Sequence, residues 1–148
     1  MDKIFNYIDG QLVPSKSDKW IENTEPATGQ TYSLIPDSDH EDVEFAFSSA
    51  EKAFKDWSQK PVQERSDIML KISSLIEENK SALAEAESRD NGKPVGLANT
   101  IDIPRAASNM KFFATGILHY ASESHQHNEV AINYTLRKPI GVVGCISP

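Results

Sequence analysis

The side chains able to do chemistry are few, and their spacing narrows what each can do. Cys145 is the one cysteine among 148 residues. A thiolate can attack a carbonyl carbon, so Cys145 raises the question of a nucleophile. His119, His125 and His127 are spaced H-x5-H-x-H, with no cysteine nearby and Ser122-Glu123-Ser124 between them. Zinc sites favour tighter pairs on one helix face, so this run reads as three separate histidines. Glu77-Glu78 could suggest acid–base work, but successive helical residues do not face each other, and a solvated charged face is the better reading. Gly141-Val142-Val143-Gly144 lacks the G-x-G-x-x-G phosphate cradle, and no helix follows it to present its N-terminus to a phosphate.

The elements that must position these groups can be read in order. Asp9-Gly10 between Phe5-Asn6-Tyr7-Ile8 and Gln11-Leu12-Val13 is a hairpin signal, because a type I′ turn needs positive φ at both central residues. Pro26 and Thr28-Gly29 mark a second turn, followed by a strand over Thr31–Ile35 that ends at Pro36. Ser38-x-x-Glu41 is spaced as a capping box. The helix it opens carries Val43, Ala46, Phe47, Ala50, Phe54 and Trp57 on one stripe, expected to face a core. Pro61 opens a second helix with Ile68, Ile72, Leu75, Ile76, Leu83 and Ala84 inward, closed by Asp90-Asn91-Gly92-Lys93-Pro94. A third helical stretch spans about 97–120, with Met110, Phe113, Ile117 and Leu118 as its stripe. Pro104 inside it requires a kink or a new first turn. Val130–Arg137 alternates as a half-exposed strand. Ile140–Ile146 does not alternate, which is the pattern of a strand buried on both faces of a parallel sheet.

Such a strand needs neighbours, and a parallel neighbour needs a crossover. None follows Pro148, so the sequence reads as the first part of a larger protein. The formal net charge of −7 argues against a nucleic-acid backbone as partner. No run approaches the roughly 18 apolar residues of a membrane span, and the start MDKIFNYIDGQ is no signal peptide. A single cysteine fits a reducing compartment, so the expected location is cytoplasmic.

Tyr7-Ile8-Asp9-Gly10, Pro26-Ala27-Thr28-Gly29, Ala53-Phe54 with Trp57, Gln63-Glu64-Arg65, Asp90-Asn91-Gly92-Lys93-Pro94 and Pro139-Ile140-Gly141-Val142-Val143-Gly144 with Ile146-Ser147-Pro148 occur in this order. Together they make the chain resemble the aldehyde dehydrogenase superfamily over essentially its whole length. Asp102-Ile103-Pro104-Arg105 with Phe112-Phe113-Ala114 is similar to the branch acting on 2-aminomuconate and 2-hydroxymuconate semialdehydes. The resemblance implies an α/β fold: the N-terminal part of an aldehyde dehydrogenase, with β-hairpins, long helices and the first strand of a Rossmann-like NAD-binding sheet, incomplete. Residues 1–121 would begin the NAD-binding domain, 122–139 would be oligomerisation strands, and 140–148 the first, truncated sheet strand.

The same resemblance implies roles for individual residues. Arg105 would grip a substrate carboxylate bidentately; read without the family, it is a surface arginine paired with Asp102. Ile146, Ser147 and Pro148 would line the nicotinamide-ribose side of NAD. Asn23, Thr24 and Asp90 match a monovalent-cation site built largely from backbone oxygens, although Glu25 replaces the asparagine usual before that proline. The catalytic cysteine, glutamate and asparagine of the family fall outside this chain, so Cys145 is expected to be an inert, buried thiol and not the nucleophile. Expected partners are a semialdehyde substrate and further copies in a homo-oligomer, with neither nucleic acid nor membrane. Alone the chain is expected to be inactive. The alternative is a naturally truncated, non-catalytic protein that associates with intact subunits, its strand at 132–137 adding to their sheet.

Overall fold

Aspartate and glycine with positive φ set the first hairpin, as their types require. The computed structural model describes residues 1–146, and in it Asp9 (φ 52°) and Gly10 (φ 76°) turn β2 (Asn6–Ile8) back onto β3 (Gln11–Val13), with Ile8 opposite Gln11. A three-stranded sheet runs in the order β1-β5-β4: β1 (Asp2–Lys3) lies parallel to β5 (Gln30–Pro36), and β4 (Trp20–Glu25) is antiparallel to it. The register of β4 shifts between Asn23 and Thr24, and Gly29 (φ 70°) makes the turn into β5.

Helix α1 (His40–Trp57) starts one residue later than the Ser38/Glu41 spacing suggests. Its cap is Asp39, whose Oδ1 accepts from the Glu41 N–H at 2.9 Å, while Asp42 Oδ2 accepts from the Asp39 N–H at 3.1 Å. Ser38 instead accepts a hydrogen bond from Asn6 Nδ2 at 2.8 Å. The buried Asp42 also takes the Lys16 N–H at 2.9 Å, so the cap pins α1 to the loop after β3.

The expected single second helix is two. α2 (Val62–Glu78) and α3 (Lys80–Asn91) meet at Asn79, whose backbone N–H and Nδ2 both donate to the Leu75 carbonyl, at 3.1 and 2.8 Å. An asparagine that bonds its own turn competes with the helix ladder. α3 ends on Gly92 at φ 80°, where an added Cβ would meet Pro26 Cβ at 3.1 Å, so only glycine fits the stop. A short α4 (Val95–Leu97) leads into a π turn, Ala98–Asp102, closed by the Ile103 N–H on the Ala98 carbonyl. α5 (Ile103–Gly116) starts there with Pro104 in its first turn, where its missing N–H costs nothing. A 3₁₀ turn (Ile117–His119) ends it, before the hairpin β6 (Ser124–His127) and β7 (Ala131–Tyr134).

The core is made of small side chains. α2 and α5 pack closely and antiparallel, with Ser66 Oγ donating to the Ala114 carbonyl at 2.7 Å and Ser73 Oγ to the Ala107 carbonyl at 2.8 Å. These four, with Ile8, Ala84 and Ala98, are buried. The large apolar stripes are not: Val43, Phe47 and Trp57 of α1, Ile68, Ile72 and Leu75 of α2, Leu83 of α3, and Met110, Phe113 and Ile117 of the third stripe are exposed. β7 is exposed on both faces and shorter than the Val130–Arg137 pattern. Over 140–146 the expected buried strand does not form, and Ile140 and Ile146 are 99% and 100% exposed. A strand is stable only against a neighbour, and among the described residues no strand pairs with this segment. Cys145 is accordingly exposed, not buried.

Candidate functional site

Two polar clusters flank the α3–α5 connection. The first joins the sheet to the end of α3. Asn23 on β4, Tyr32 on β5 and Asp90 on α3 converge: Asp90 Oδ1 accepts from Asn23 Nδ2 at 3.0 Å and from the Tyr32 hydroxyl at 2.7 Å, and Asn23 Nδ2 also lies 2.9 Å from the Tyr32 oxygen. The Arg89 guanidinium sits 4.3 Å from the centre of the Tyr32 ring, and its Nε is 3.7 Å from Glu25. The bonds from Asn23 and then Tyr32 hold the Asp90 carboxyl below the usual carboxylate range, and the carboxylate in turn raises the Tyr32 hydroxyl.

Of the residues expected to hold a monovalent cation, Asn23 and Asp90 are therefore brought together. Their side chains bond each other and Tyr32. Thr24, past the shift in β4, is exposed and makes no side-chain hydrogen bond among the described residues. Tyr32, the centre of the cluster, reads in the sequence only as a strand residue.

The cluster makes a stability prediction. Asp90 has a folded pKa below its unfolded value of about 3.9, so its stabilisation is present above that value and is lost as pH falls through the folded one. Asp90→Asn is expected to cost about 1 kcal/mol at neutral pH. The gap from the parent should narrow below about pH 4, as the parent Asp90 protonates. Urea midpoints across pH 2–7 check both, with pH 2–7 chosen as roughly the range that brackets carboxylate titration.

The second cluster surrounds Arg105, at the start of α5. The π turn places Asp102 three residues before it, yet Asp102 does not pair with it. Asp102 Oδ2 takes Lys93 Nζ at 2.8 Å, and the same ammonium lies 2.9 Å from Glu87 Oε1. The hydrogen bonds to Asp102 and Glu87 raise the Lys93 pKa. Arg105 itself is exposed and forms no ion pair among the described residues. A guanidinium left open next to a neutralised acid can receive a carboxylate from solution. Lys93 reads in sequence only as part of a helix stop, and its bridging role depends on a turn that spacing does not reveal.

The remaining candidates stay apart. His125 and His127 are exposed on β6, His125 lying 3.8 Å from Glu123, and among the described residues no three His, Cys, Asp or Glu side chains gather as a metal cluster would need. Cys145 has no hydrogen-bonding or ionic neighbour among them. Ile146 stands in open solvent, and residues 140–146 form no cradle for a dinucleotide. Ser147 and Pro148, expected beside the cofactor, lie outside the described residues.

Comparison with known proteins places this geometry. Residues 12–148 match the model of the Aldehyde dehydrogenase family. The human 2-aminomuconic semialdehyde dehydrogenase is 41% identical over 144 residues, which are 97% of this chain and 29% of that protein. Acetaldehyde dehydrogenase of Pseudomonas aeruginosa is 39% identical over 143 residues, 97% of this chain and 28% of that one. Among solved structures, PnpE in complex with nicotinamide adenine dinucleotide superposes with a TM-score of 0.88 at 30% identity, over 95% of this chain and 28% of that one. The chain thus spans under a third of the length of the relatives it matches, their N-terminal portion.

Proposed function

The chain belongs to the aldehyde dehydrogenase family, and from that premise we propose that it is the N-terminal portion of an NAD-dependent enzyme that oxidises a carboxylate-bearing semialdehyde, of the 2-aminomuconate type, to the acid. The observation that carries the substrate class is the open Arg105, whose nearest acid in sequence is held by Lys93 instead. Arginine offers a planar fork of N–H donors that matches a carboxylate bidentately and stays charged at every working pH. It would anchor the end of the substrate away from the aldehyde and leave the reacting carbon to groups elsewhere in the enzyme.

NAD, when bound, would accept the hydride. Residues 146–148 would touch its nicotinamide-ribose side only once the strand at 140–148 is paired, since this chain by itself offers no dinucleotide cradle. Residues 1–121 would open the NAD-binding domain. A monovalent cation beside Asn23, Thr24 and Asp90 belongs to the same proposal and would rest on backbone oxygens. The β6–β7 hairpin, exposed on both faces, would pair between subunits of a cytoplasmic homo-oligomer. Among the described residues Cys145 makes no hydrogen bond or ion pair with a base, so the 148-residue polypeptide alone is expected to turn nothing over.

The test is NADH formation by the full-length enzyme with two aldehydes of equal length, one ending in a carboxylate and one in a neutral group. A preference of about tenfold or more in kcat/KM for the charged substrate is expected from charge-assisted hydrogen bonds. Equal or better turnover of the neutral aldehyde would overturn the substrate class.

A further inference from the structure

Arg105 has a potential inhibitor built into its own helix. On a continuous helix, residues three apart are surface neighbours with Cβ atoms about 5–6 Å apart, and an Asp–Arg pair at that spacing closes on itself. Asp102 and Arg105 have that spacing but do not pair. Asp102 is turned to Lys93 at 2.8 Å, and Lys93 is held on several sides. Its ammonium also meets Glu87 at 2.9 Å, its backbone N–H donates to Asn91 Oδ1 at 3.0 Å, and its carbonyl accepts from Ser88 Oγ at 2.6 Å. Gly92, in the left-handed region, turns the chain so that Lys93 leaves α3 in this direction. Asp102 and Ile103 both have right-handed helical backbone, so the helix itself leaves the acid within reach of Arg105, and the contact that draws it away is the one to Lys93.

We propose that Lys93 is a positioning residue for Arg105: by holding Asp102 it keeps the Arg105 guanidinium open for the substrate carboxylate, and so sets the preference for charged over neutral aldehydes. This rests on the reading of Arg105 given above. In the full-length enzyme, Lys93→Met keeps an unbranched side chain one atom shorter and removes the charge, which frees Asp102 to pair with Arg105 and to repel the incoming carboxylate. KM for the carboxylate-bearing aldehyde is expected to rise about three- to fivefold, the scale of an exposed ion pair. The kcat for that substrate, and KM for the neutral aldehyde, are expected to stay unchanged. Lys93→Met with Asp102→Asn removes the competitor as well and should bring KM back to within about twofold of the parent. A merely structural Lys93 would instead affect both substrates and kcat together, and Asp102→Asn would not rescue it. If Arg105→Ala abolishes the charge preference while Lys93→Met leaves it intact, or the double variant fails to recover, the positioning role is wrong. If Arg105→Ala leaves the preference intact, it is the substrate reading that fails.

Discussion

Replacing Arg105 with alanine in the full-length enzyme is expected to lower kcat/KM for a carboxylate-bearing semialdehyde by about 10- to 100-fold. Hydrogen bonds to charged groups contribute about 1.5–3 kcal/mol, and each 1.4 kcal/mol is about tenfold. A guanidinium–carboxylate fork makes two of them, while its exposed position at the start of α5 keeps water competing for both. The contact is made remote from the reacting carbon, so ground state and transition state should lose it alike: KM rises and kcat holds. Arg105→Lys should recover part of the loss, because an ammonium keeps the charge but not the planar fork. Steady-state kinetics with the charged and neutral aldehydes decide the matter, and an equal loss on both would show a structural effect in place of recognition.

How much of this was legible in the sequence depended on whether the deciding interaction was local. Asp9-Gly10 and Gly92 demanded positive φ by residue type, and the turn and the stop stand where those residues are. The α1 cap was legible only to within one residue. Ser38 and Asp39 are both capping types, and each has an acid three residues on, so spacing alone does not separate the two registers. The Lys16 N–H bond to Asp42, a contact 26 residues away in sequence, accompanies the second of them. Asn79 reads as an ordinary helical residue until its side chain is seen on the Leu75 carbonyl.

The candidate site divides in the same way. Arg105 and Asp102 are three residues apart and were seen together. The lysine that separates them reaches across from the end of α3 and was not. The stripes of large apolar residues identify faces but do not say what covers them. Val43, Phe47 and Trp57 form the expected stripe and lie open in a chain that spans 29% of its 2-aminomuconic semialdehyde dehydrogenase relatives. Residues 140–146 have the composition of a buried strand, and burial there requires strands that these residues do not supply.

The same blindness hid the helix pair that does pack. Counting large apolar residues along α2 selects Ile68, Ile72, Leu75 and Ile76, whereas α2 meets α5 through Ser66 and Ser73. Serine looks polar in a pattern but is compatible with burial once its hydroxyl reaches a helix carbonyl, as both do here. Ser66 and Ser73 on α2, and Ala107 and Ala114 on α5, are each seven residues apart, so two turns of small side chains let the helices approach closely. Ala114→Leu is therefore expected to be the more damaging change in this pair. Ala114 is 0% exposed and faces a 0%-exposed Ser66, so a larger side chain must part the helices and break the Ser66 bond, costing about 3 kcal/mol or more. Ser66→Ala removes one hydroxyl, leaves the Ala114 carbonyl in its helix, and should cost about 1 kcal/mol. Ile72→Ala, at a position 39% exposed, should cost less than Ala114→Leu even though it deletes a large hydrophobe from the expected core face. Denaturant midpoints of the 148-residue chain rank the three. If Ile72→Ala proved the costliest, the large apolar stripe of α2 would be packed in solution, and the small-residue seam could not be what holds these helices together.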